Sequence, residues 1–107
     1  MRLYFLFIFF FSIHLKASEA LNWQGLDKGK IELAYPLLTV RGSKGFLACA
    51  YVNSEICDKT KEACAIVTGV KTHDDMLLKK IIAVSKEASD LGIKNGMSGQ
   101  EALNILR

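Results

Sequence analysis

The segment Gly45–Val70, GFLACAYVNSEICDKTKEACAIVTGV, holds all three cysteines of this chain and two runs apolar enough to be buried. In FLACAYV (46–52), Phe46, Ala48, Ala50 and Val52 alternate with Leu47, Cys49 and Tyr51, so both faces of a strand here are apolar. A strand apolar on both faces is one covered on both sides. ACAIVTGV (63–70) reads as a second buried strand closed by Gly69, and the polar NSEICDKT (53–60) between them as a short helix with Asn53 or Ser54 as its cap.

Upstream, KIELAY (30–35) alternates Ile31, Leu33 and Tyr35 with other residues, the period-2 pattern of a half-buried strand. Asp27–Lys30 carries turn chemistry, which predicts a hairpin between LNWQGL (21–26) and KIELAY. Pro36 lacks an amide donor and belongs at a strand boundary or edge. LLTV (37–40) continues extended, and RGSKG (41–45) turns the chain into the first buried strand.

Downstream the period changes. Leu77, Ile81, Val84, Ala88 and Leu91 recur every three or four residues, widened by Leu78 and Ile82. This spacing predicts one long helix, capped by Thr72, with Asp74 and Asp75 at its positive end and Gly92 at its close. Asn95-Gly96 turns the chain, and SGQE (98–101) is a capping box opening a last short helix. The fold class is α+β: a β-rich N-terminal half, as hairpin or meander, then short helix, strand, long helix and short C-terminal helix.

The first twenty residues differ in kind. Arg2, an apolar run from Leu3 to Ile13, and the small residues Ala17, Ser18 and Ala20 have the order of a secretory signal peptide. The run is about 11 residues long where a membrane span needs about 20, so no stable span is expected unless the segment stays uncleaved as an anchor. A start codon downstream would remove the segment altogether. Residues 1–20 are therefore set apart, and residues 21–107 form a single domain. The localisation that follows is exported, periplasmic or secreted, if the segment is a signal, and cytoplasmic otherwise.

Charge excludes little but points away from nucleic acid. The chain has 14 basic and 11 acidic residues, net +3. Basic residues are scattered among acids, with no run of five, as on a solvated mixed-charge surface.

GFLACAYV, ACAIVTGVKTHDDML and ASDLGIKNGMSGQEAL resemble the YunC-like family, domain of unknown function 1805, over nearly all of the chain from about Lys30 onward. The resemblance implies no established reaction and a β-sheet N-terminal region that mediates tetramer formation. The family commonly has glycine where Ala50 stands and often Gly-Asp at Lys61-Glu62. The resemblance and the apolar load of residues 21–42 together make that ribbon an expected homo-oligomer interface, carried by Trp23, Leu33, Tyr35, Leu37 and Leu38.

Three sets of residues carry possible chemistry. Cys49 as nucleophile with His73 as base is the weak catalytic candidate, and a small hydrophobe in a buried strand is the stronger reading of that cysteine. Cys57 and Cys64 form a disulfide if the chain reaches an oxidising compartment, and stay reduced if it does not. Cysteine spacings of eight and seven are not those of structural zinc, and no metal or cofactor is expected. The function expected is non-catalytic binding or scaffolding by a homo-oligomer. Its rival is an enzyme or small-ligand protein using Cys49 in a pocket between subunits.

Overall fold

Two strands and the helix that joins them form the centre of the molecule. Strands Phe46–Cys49 and Cys64–Val67 run parallel, with Phe46 opposite Cys64 and Cys49 opposite Val67. A parallel pair needs a crossover, which the helix Ser54–Thr60 provides. Asn53 caps that helix, its side chain accepting from the amide of Ile56 at 3.0 Å. Lys61 closes it in the left-handed conformation, φ 60°, a position that favours glycine.

The computed structural model describes residues 21–107; the expected export segment, residues 1–20, lies outside them. In chain order the elements are β1 (Asp27–Ile31), β2 (Leu37–Arg41), β3 (Phe46–Cys49), α1 (Ser54–Thr60), β4 (Cys64–Val67), α2 (His73–Leu78), β5 (Ala83–Val84), α3 (Lys86–Asp90) and α4 (Gly99–Leu106). The strands make one sheet in sequence order, antiparallel except at β3–β4. The fold is α+β, its sheet concentrated in the N-terminal half.

Alternation along β3 and β4 divides the core. Leu47, Cys49, Ala65 and Val67 face the larger cluster, with Leu38, Val40, Met76, Ile81, Ile93 and Leu103. Ala48, Cys64 and Ile66 face the smaller one, with Cys57 of α1. Both sheet faces are therefore covered, as the doubly apolar strands require. Gly99 lets α4 approach α2, because a Cβ there would overlap the carbonyl oxygen of Met76.

The structure changes two expectations. The hairpin joins β1 to β2, with Ile31 opposite Leu37 and Asp27 opposite Arg41. LNWQGL is not a strand, and Asp27–Lys30 lies inside β1 instead of in a turn. The reason is pairing. An ion pair joins Arg41 to Asp27 at 2.7 Å, and Gly29 faces Thr39 so closely that a Cβ there would lie 2.5 Å from its hydroxyl. Ile31, Leu33 and Tyr35 are consequently all exposed and do not form a half-buried stripe.

The long helix also gives way, to α2, β5 and α3. Residues 81–85 spend their amides elsewhere: Ile81 donates to Met97, Ile82 to Ile66 and Ser85 to Cys64, at 2.7, 2.9 and 3.0 Å. β4 would otherwise be an open edge, and the β-branched residues Ile81, Ile82 and Val84 suit a strand better than a helix. Ser85 then starts α3 as its cap, accepting from the amide of Ala88. The ends of the expected helix stand: Thr72 and Asp75 form a capping box, and Gly92 is left-handed, φ 101°.

Candidate functional site

β3 and β4 end side by side, and a cleft opens beyond their carboxyl ends, the usual ligand position for parallel strands. Cys49 ends β3 and stands at the cleft wall, with Ala50 and Tyr51 in the turn beyond it. Thr68 and Gly69 come from the end of β4, and Tyr35 and Pro36 from the hairpin connection. The cavity measures about 210 Å³. Tyr35 and Tyr51 are each more than half exposed. Among the described residues, no carboxylate, ammonium, guanidinium or imidazole side chain lines the cleft.

The thiol of Cys49 is nearly buried. The amide of Leu38 donates to its Sγ at 3.3 Å, and the carbonyl of Pro36 lies 4.0 Å away. The start of β2 and the proline before it thus hold the sulfur at the cleft. His73, the other member of the sequence-level dyad, is occupied elsewhere. It opens α2, and its Nε2 donates to the carbonyl oxygen of Gly29 in β1 at 2.9 Å. No hydrogen bond joins His73 to Cys49, and the ring does not line the cleft.

Asp75 serves the same helix start. Its carboxylate accepts from the amides of Lys71 and Thr72 at 3.0 and 3.2 Å. The Lys71 amide is the main cause that holds its pKa below the ordinary 3.8, helped by Thr72 and by the charge of Lys79 against a smaller opposing desolvation. Among the described residues no group of three or more histidine, cysteine or acidic side chains is placed to hold a metal ion.

Cys57 of α1 and Cys64 of β4 are joined as a disulfide across the smaller core, with Cα atoms 6.3 Å apart. The ribbon residues separate into two groups. Leu38 is wholly buried in this chain's own core and has no surface to offer a second copy. Trp23 and Leu37 pack partly against that core, while Leu33 and Tyr35 remain exposed.

Sequence reasoning missed Ser85, which is fully buried. Its hydroxyl donates to the carbonyl of Glu62 at 2.8 Å and accepts from the amide of Cys64 at 2.9 Å. The available signal was a capping residue set directly after a β-branched pair of positions, Ile82 and Val84. It expected a pocket at Cys49 between subunits but missed the walls this chain itself supplies, which come from three segments far apart in sequence.

Residues 48–106 match the family model described as Domain of unknown function (DUF1805). The uncharacterized protein YunC of Bacillus subtilis (strain 168) is 34% identical over 70 residues, 62% of this chain and 69% of that protein. A crystal structure of a protein of unknown function from Thermoplasma acidophilum superposes with a TM-score of 0.67 at 33% identity, covering 77% of this chain and 93% of that one.

Proposed function

The chain belongs to the family described as Domain of unknown function (DUF1805), and from that premise we propose that it is a small homo-oligomer with a binding or scaffolding role. One observation carries this reading. Ile31, at the end of β1, and Leu33 and Tyr35, in the connection to β2, are each about half exposed, where a monomer gains little from large apolar groups. A second copy of the same hairpin is the natural cover, because a two-fold contact sets the same patch against itself. The cysteine pair fits export: an apolar leader followed by a disulfide belongs in an oxidising compartment.

Sedimentation velocity of the chain at micromolar concentration should give a dimer or tetramer. The paired change Leu33→Asp with Tyr35→Ser should give a folded monomer. A wild-type monomer at that concentration overturns the reading.

The cleft favours a second reading, in which Cys49 stands at a small-ligand site. Ligand sites are concave, mostly apolar and carry a few polar groups, and this cleft has that composition. With His73 bound to Gly29, the thiol has no base beside it, so the reading is of binding. Selective alkylation of Cys49 in the native protein supports an accessible site, and inertness until denaturation assigns the residue to packing alone.

A further inference from the structure

The cleft beside Cys49 has a definite size, wall chemistry and charge. A cavity of about 150 Å³ holds a benzene ring, and this one measures about 210 Å³. Tyr35 and Tyr51, with Pro36 and Val70, give the lining apolar and aromatic character. Among the described residues, polar contact is limited to the hydroxyls of Thr68 and the tyrosines, the Cys49 thiol and backbone groups. A strongly hydrated inorganic anion would find no charged donor inside, and a cation no carboxylate.

Charge stands at the rim instead. The ammonium of Lys79 lies over Gly69, 3.6 Å from where a Cβ on that glycine would sit. The ammonium of Lys71 lies 5.8 Å from the centroid of the Tyr35 ring. Neither belongs to the ion pairs found among the described residues, which join Lys30 to Glu32 and Arg41 to Asp27. The nearby countercharge is Asp75, whose carboxylate is already committed to the amides of Lys71 and Thr72; Asp74 shares the first turn of α2.

We propose that this cleft binds a small single-ring aromatic acid, with the ring against the apolar lining and the carboxylate toward Lys79. The proposal rests on the second reading above, that the cleft holds a ligand, and adds the class of that ligand. Ring size matches the cavity, the lining is mostly apolar with two aromatic residues, and two ammonium groups, Lys79 near Gly69 and Lys71 near the Tyr35 ring, stand at residues of that lining.

Benzoate, benzyl alcohol and benzylamine are suitable probes, since they share a ring and differ in charge. Titrations of the full chain, followed through the amide resonances of Tyr51, Thr68 and Gly69, should show benzoate binding ahead of the other two. Lys79→Gln, a change at an exposed position, should weaken benzoate about three- to fivefold, the scale of an exposed ion pair. It should leave benzyl alcohol unchanged. Ala50→Leu, which fills the cleft from an exposed turn, should abolish the binding of benzoate. Equal or tighter binding of the alcohol or the amine overturns the acid and leaves the ligand site standing. Failure of all three to move those resonances overturns both.

Discussion

Residues 46–67 and residues 79–85 both contribute strands to one sheet, by opposite routes. β3, α1 and β4 are continuous in sequence, and each residue of the strands finds an apolar partner on one face or the other. Residues 79–85 have no such self-sufficiency. Their backbone groups are taken by Ile66, Cys64, Met97 and Gly99, from two other parts of the chain. The first unit is dictated by its own composition. The second is dictated by an unfilled edge on β4, which only tertiary structure reveals. The same side chains that describe a helical stripe, Ile81, Val84 and Ala88, serve equally well in a strand followed by a short helix.

The sharpest way to break this contrast lies at two neighbouring residues. Ile81 is buried at 2% exposure and Ile82 is half exposed. Ile81→Ala should cost about 4 kcal/mol of stability, through lost contacts and a residual cavity. Ile82→Ala should stay within about 0.5 kcal/mol, because its link to β4 is through backbone. Urea unfolding of both variants decides it. Equal losses at the two positions would mean that both face the core, as on a helical stripe.

Ser85 tests the junction itself. Ser85→Ala removes a cap from α3, leaves the buried amide of Cys64 without its acceptor and takes a donor from the carbonyl of Glu62. A loss of about 3 kcal/mol is expected in the same unfolding experiment. A loss below about 1 kcal/mol would show that the junction does not depend on this hydroxyl.

These two sites also mark where the chain was legible. The strands of the central unit, its crossover helix and the capping boxes at Thr72 and Ser98 are local statements: residue type and spacing suffice for them. Ser85 was silent because its partners, Glu62 and Cys64, lie more than twenty positions upstream. The hairpin register was misread for a related reason. Asp27–Lys30 has the composition of a turn, and only the pairing of Asp27 with Arg41 and the fit of Gly29 against Thr39 make it a strand. The cleft was legible at one wall alone, Cys49, since Tyr35 and Gly69 arrive there through topology.

The disulfide bears on the self-sufficient unit. Its smaller core holds few residues, and the bridge between Cys57 and Cys64 secures α1 to β4 across it. Opening a loop of this length should cost about 2.5 kcal/mol. Unfolding with and without reductant measures the difference, and free-thiol titration of natural material shows whether the pair is oxidised. Three free thiols there would remove both the bridge and the argument for export that leans on it.

A stabilising change should follow from Lys61, which holds a left-handed backbone at the end of α1. Lys61→Gly should add about 1 kcal/mol, the cost of that conformation for a residue with a Cβ. The gain should be seen in the oxidised protein. No gain would indicate that side-chain contacts of Lys61 offset the backbone cost.

The smallest effect expected lies at the start of α2, where the less self-sufficient region is nonetheless governed by local chemistry. The Lys71 amide, more than any other group, holds the pKa of Asp75 below 3.8, with Thr72 and Lys79 adding to it. The folded chain therefore gives up this proton more readily than the unfolded chain does. The stabilisation is present above the unfolded value and is lost as pH falls through the lower folded value. Asp75→Asn should be less stable than the wild type near neutrality, and the gap should close as the pH is lowered beneath about 3.8. Urea midpoints of the two proteins across the acid range test this. A gap that persists undiminished at the lowest pH would assign the role of Asp75 to hydrogen-bond geometry, which an uncharged side chain shares, and not to its charge.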